Sequence, residues 1–126
     1  MQRPRPVRST DSRRAADAAG RRAERLAAWW LRLKGWRILD KRVRTPRGEV
    51  DIVARRGSLV AFVEVKGRAT ALELDHAIDA HRLARVAAAA EILIPRYAGP
   101  GDDIRIDVIL IARGTPVRHI ENAWTG

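Results

Sequence analysis

The stretch from Gly48 to Arg68 constrains the fold more than any other part of the chain. It reads as two β-type runs, rich in valine and isoleucine and carrying Phe62, joined at Arg56-Gly57. Such side chains suit a pleated, half-buried surface, and a glycine supplies the tight turn. Side chains alternate along a strand. Glu49, Asp51 and Val53 therefore share one face of the first run, and Phe62, Glu64 and Lys66 share one face of the second. A two-residue loop at Arg56-Gly57 sets Arg55 opposite Ser58. Counting outward puts Glu49 opposite Glu64 and Asp51 opposite Phe62, all on one side of the hairpin. Carboxylates facing one another across strands are destabilising. Lys66 or a bound divalent cation would offset them. Their oxygens are hard ligands of the kind magnesium prefers. Lys66, two positions after Glu64, faces the same way and could stabilise negative charge or orient a water. The competing reading is a plain hairpin with charged outer positions and one surface ion pair.

Asp51 followed on the next strand by Glu64-Val65-Lys66 resembles the split Asp…Glu-x-Lys motif of restriction-endonuclease-like nucleases. The wider pattern, Gly48-Glu49-x-Asp51-Ile52 and then Phe62-Val63-Glu64-Val65-Lys66-x-Arg68, is similar to the small YraN family of that fold. The resemblance runs from about Gly20 to Trp124. It implies an α/β fold with a mixed central sheet, a three-strand antiparallel meander and flanking helices. It also implies metal-dependent hydrolysis of phosphodiester bonds. Asp51, Glu64 and the Val65 carbonyl would hold a magnesium or manganese ion, with Glu49 or Glu24 completing the shell. Lys66 would act beside them. A first-helix glutamate reaching toward this cluster recurs in related nucleases, archaeal Holliday-junction resolvases among them, and Glu24 matches that position. A surface ion pair with Arg21, Arg25 or Lys34 is the simpler role for Glu24.

The chain has 126 residues, enough for one domain with a core of its own. It has no cysteine, which excludes disulfides and zinc-thiolate sites. A hydrophobic fraction of 46% indicates a folded chain. The net charge of +10 points to a polyanionic partner, nucleic acid by default and DNA in the first instance. No apolar run approaches the roughly 20 residues of a membrane span. The N-terminus lacks the apolar segment of a signal peptide, so a cytoplasmic location is expected. Residues 1–12, with Arg3, Arg5 and Arg8 among prolines, are expected to be a disordered basic tail ahead of a single domain, 13–126.

In chain order, Thr10 or Asp11 caps an alanine-rich helix running to about Lys34. Its expected buried stripe is Ala16, Ala19, Ala23, Leu26, Trp30 and Leu33. Gly35 ends the helix, and residues 36–44 form the first strand. Trp29, Trp30 and Trp36 are expected in the core, although exposed tryptophans can stack on unpaired bases. After the hairpin comes a polar loop in which Arg68 could hold a phosphate. A second helix is expected over 74–96, with a basic patch at His81, Arg82 and Arg85. The resemblance places Arg82, a lysine in most of the family, on a substrate phosphate, and Arg85 beside it. Residues 104–111 read as a buried strand, parallel to a neighbour because the second helix supplies the crossover. Asp107 within it is expected to be structural, and residues 117–120 a short edge strand.

Together these readings predict a metal-dependent nuclease acting on DNA, branched DNA included. Related resolvases work as dimers, so a homodimer is a further expectation of the resemblance. Two other classes fit the charge: a non-catalytic nucleic-acid-binding module that inherited the fold, and an assembly factor acting through its basic tail.

Overall fold

The computed structural model describes residues 10–68 and 79–124. Most of the expected tail and of the expected polar loop, and the expected start of the second helix, 74–78, lie outside them. Helix α1 spans Thr10–Leu33, so Thr10 to Ser12 form its first turn and not part of a tail. Strands β1 (Arg37–Thr45), β2 (Gly48–Arg56) and β3 (Leu59–Arg68) follow, then helix α2 (Ala80–Tyr97), β4 (Asp103–Ala112) and β5 (Arg118–Ile120). The strands form one five-stranded sheet in chain order, β1-β2-β3-β4-β5. The first three make the antiparallel meander. β3 and β4 are parallel, joined through α2, and β5 returns antiparallel along β4. No helix among the described residues is long and apolar enough to cross a membrane.

The helices cover opposite faces of the sheet. Leu83, Val86, Ala89, Ala90 and Leu93 of α2 pack with Val43, Val53, Phe62, Ile106 and Val108. Ala23, Ala27, Ala28 and Leu31 of α1 pack with Trp36, Ile52, Ala54, Val63 and Ile109. The buried stripe of α1 therefore steps by four through Ala23, Ala27 and Leu31. Leu26 and Leu33, expected inside, are exposed. Small residues win because they let the helix backbone approach the sheet. The tryptophans also divide: Trp36 is buried, Trp30 half-buried and Trp29 exposed.

Local chemistry sets the ends of these elements. After α1, Gly35 adopts φ +90°. Its N–H donates to Arg32 O and the Trp36 N–H to Leu31 O, both at 3.0 Å, a Schellman closure. Asp79 caps α2, its Oδ1 accepting from the His81 N–H at 2.8 Å. The hairpin loop is Gly57-Ser58 and not Arg56-Gly57: Arg56 pairs with Leu59 and Arg55 with Val60. Gly57 is at φ +61° and Ser58 is not at positive φ, which fits a type II′ turn led by glycine. The expected register was thus two residues off, and a two-residue slip leaves every side chain on its face.

The far edge of the sheet is fastened by a buried carboxylate. Asp107 is fully buried and accepts from Arg105 Nε and Nη2 at 2.8 and 2.9 Å and from the Asn122 N–H at 3.0 Å. His119 Nε2 lies 2.7 Å from its Oδ2. These partners hold its pKa low against the burial that would raise it. They tie the segment after β5 to the middle of β4.

Candidate active site

The site forms where β2 and β3 part. Their ladder runs from the turn to Ile52↔Val63, and Asp51 and Glu64 are the next residues out. Asp51 therefore meets Glu64, where the expected register gave it Phe62. The alternation of β2 also breaks here. Val50 and Val53 both pack on the α2 side, while Ile52 packs on the α1 side. Opposite Asp51, between the pairs Lys41↔Ile52 and Val43↔Val50, Arg42 of β1 is held at φ +52°. Such irregularities re-aim side chains. The Asp51 carboxylate turns to the edge of β3, where its Oδ2 accepts the Val65 N–H at 2.7 Å. A residue in an extended strand sends its N–H and C=O from the same edge, so the Val65 carbonyl faces this gap as well.

A cleft of about 340 Å³ opens at this point. Its walls include Glu24 from α1, Glu49 and Asp51 from β2, Glu64, Val65 and Lys66 from β3, and Arg82 and Arg85 from α2. Two glycines bring the helices this close. A Cβ on Gly67 would come within 2.8 Å of the Ala23 Cβ in α1. A Cβ on Gly48 would come within 2.6 Å of the Arg85 carbonyl oxygen in α2.

Asp51 carries the clearest electrostatic signature. Its pKa is pushed up to about 8, first by burial and then by the charge of Glu64. The Val65 N–H opposes the rise, and Glu24 and Glu49 add to it. Glu64 has cationic company: Lys66 Nζ lies 2.6 Å from its Oε1, and Arg82 Nη1 lies 3.8 Å from the same oxygen. Lys66 itself is only 6% exposed. Glu24 faces the cleft with its Oε2 2.6 Å from Arg42 Nε. Glu49 is exposed and pairs loosely with Arg44 at 3.4 Å. Arg82 and Arg85 stand on the first turns of α2, at the solvent side of the cleft, and the exposed His81 precedes them on the helix. The Arg68 side chain lies outside the described residues.

Of the residues singled out from the sequence, Asp51, Glu64, Val65, Lys66, Glu24, Glu49, Arg82 and Arg85 all border this one cleft. Among the described residues, no three His, Cys, Asp or Glu side chains are gathered into a ready metal cage. Two carboxylates and a carbonyl still suit magnesium, which keeps several waters and takes oxygens from its substrate. Sequence reasoning missed Arg42, because its partner Glu24 lies 18 residues away and its positive φ leaves no local signal.

Comparison with known proteins places this geometry in context. The uncharacterised protein family UPF0102 matches residues 23–111. A UPF0102 protein of Sphingopyxis alaskensis is 64% identical over 113 residues, covering 90% of this chain and 97% of its own. One from Erythrobacter litoralis is 64% identical over 112 residues, covering 89% and 97%. Among solved structures, Hjc, a Holliday junction resolvase from Archaeoglobus fulgidus, superposes with a TM-score of 0.55. The match has 21% identity over 79% of this chain and 73% of that one. The fold they share is restriction-endonuclease-like.

Proposed function

The chain belongs to the UPF0102 family, and we propose that it is a metal-dependent nuclease hydrolysing phosphodiester bonds in nucleic acid. One observation carries this reading: Asp51 and Glu64 meet in a cleft between parting strands with the buried Lys66 beside them. Burying two interacting carboxylates is costly unless a cation joins them. Asp51, Glu64 and the Val65 carbonyl would hold magnesium or manganese, with Glu24 or Glu49 completing the shell. When bound, such an ion polarises a phosphoryl oxygen and acidifies water.

The chain's own residues do the rest. Lys66 orients water or offsets charge developing on phosphorus, a preorganised electrostatic role. Arg82 and Arg85, at the cleft edge, take flanking phosphates, joined by Arg68 at the end of β3. The overall charge of +10 draws in a polyanion. DNA, branched DNA included, is the proposed substrate, in the cytoplasm. A homodimer would let two sites cut two strands.

A second reading has its own observation. Glu64 already pairs with Lys66, and Glu24 with Arg42, each at 2.6 Å. A cleft with those charges satisfied suits a non-catalytic binding module. Cleavage of linear, single-stranded, flapped and four-way-junction DNA separates the two. Wild type with magnesium or manganese is expected to cut at least one of these, and chelator to stop it. Lys66→Ala is expected to lose about 10²-fold or more in rate. Binding without cutting on every substrate would support the module instead.

A further inference from the structure

Three of the large apolar side chains exposed among the described residues stand along one edge of α1: Leu26 at 54%, Trp29 at 62% and Leu33 at 80%. Steps of four, three and four from Arg22 through Leu26 and Trp29 to Leu33 keep them on one edge. Arg25 and Arg32 flank that edge, and the Arg32 guanidinium lies 5.9 Å from the centre of the Trp29 ring. Arg22 and Leu26 also wall a groove of about 690 Å³ between α1 and the ends of β3 and β4. Ala23, Gly67 and Ile111 line its apolar interior, and Arg113 borders it. The groove runs into the candidate site, since Gly20, Ala23, Val65, Lys66 and Gly67 border both. Arg22 also belongs to an arginine cluster with Arg14, Arg21 and Arg25. Among the described residues these four arginines have no acidic partner within ion-pair distance.

We propose that this edge is a track for single-stranded nucleic acid, running from the candidate site through the groove onto α1, with Trp29 as a base-stacking platform. It rests on the nuclease reading in taking that strand as the flank of the scissile phosphate. Stacking on an exposed indole needs an unpaired base, whereas a duplex keeps its base faces covered. The arginines beside the indole meet the phosphates between such bases. A second copy of the chain suits the edge less well. A two-fold interface would set the patch against itself and bring Arg22, Arg25 and Arg32 against their own copies.

The test measures binding of the full chain in chelator, by fluorescence anisotropy, to labelled oligo(dT) and to a blunt hairpin duplex. Trp29→Ala is expected to weaken oligo(dT) binding about tenfold and to leave duplex binding nearly unchanged. Trp29→Tyr is expected to recover most of that loss. Arg22→Ala with Arg25→Ala should weaken both ligands. Circular dichroism melting checks that each variant folds. The track is overturned if wild type does not bind oligo(dT), or if Trp29→Ala binds it as wild type does. It is also overturned if Trp29→Ala only converts a dimer to a monomer in sedimentation, because the edge then holds a second copy. Binding is read without metal, so the two readings can fail separately. A wild type that binds and never cuts counts against the nuclease alone. One that cuts, with Trp29→Ala binding normally, counts against the track alone.

Discussion

Asp51 sits at a break in backbone pairing, and burial there raises its proton affinity. The ladder between β2 and β3 ends at Ile52↔Val63, and its carboxylate takes the next N–H, that of Val65. That bond lowers the pKa, yet burial and Glu64 outweigh it and lift the group from 3.8 to about 8. The sign of the consequence follows by linkage. A folded pKa above the unfolded value gives stability that is complete below about pH 4 and lost as pH rises through about 8. Asp51→Asn removes this loss. In chelator it is expected to melt higher than wild type at pH 9, with the gap closing toward pH 4. Each tenfold rise in proton affinity on folding corresponds to about 1.4 kcal/mol, well within reach of thermal denaturation. A gap independent of pH would mean that the carboxylate is not electrostatically strained. Arg42 is the counterpart on β1. Holding a non-glycine residue at φ +52° costs about 1–3 kcal/mol, and its Nε reaches Glu24 at 2.6 Å.

At the scale of elements, two glycines decide how near the helices come to the cleft. The atom facing Gly48 is a backbone carbonyl, which cannot swing aside, so Gly48→Ala must push α2 outward. The atom facing Gly67 is only the Ala23 methyl carbon. Each alanine is expected to cost about 1–3 kcal/mol in chemical denaturation. For Gly67→Ala, adding Ala23→Gly should recover part of the loss, a non-additivity that a double-mutant cycle detects. Gly48→Ala has no such local remedy. The same scale explains what the sequence made legible. Period-two alternation brings Glu64 and Lys66 to one site even with the loop expected one residue early, because a two-residue slip does not change faces. The break at Asp51 was invisible, since it depends on the conformation of Arg42 across the sheet. In α1, alanines and large apolar residues recur at competing phases. Only the sheet's demand for close approach chooses Ala23, Ala27 and Leu31 over Leu26 and Leu33. Glu24 finds Arg42 18 residues away, and Asp107 finds His119 and Asn122 at 12 and 15, all beyond any local pattern; Arg105, two residues before Asp107, is its near partner.

Over the whole molecule, charge is distributed unevenly around one end of the sheet. The acidic groups of the cleft lie where β2 begins and β3 ends, with Arg82 and Arg85 on the α2 side and Arg22 and Arg25 on the α1 side. Arg37 and Arg56 sit at the other end of the same sheet. If nucleic acid lies across the cleft, only the first group displaces counterions on binding. For a single strand the slope of log Kobs against log salt is about −0.7 per phosphate neutralised. Four arginine contacts would therefore give a slope of about −3. Replacing Arg22 or Arg85 by alanine is expected to flatten it by about 0.7 each, while Arg37→Ala leaves it unchanged. Anisotropy titrations with oligo(dT) in chelator across a range of salt concentrations measure all three. A slope that responds equally to Arg37 would mean a diffuse cationic surface attracts the strand, with no path fixed by the cleft. A slope that responds to Arg85 but not to Arg22 would keep the strand on the α2 side of the sheet and remove α1 from its path.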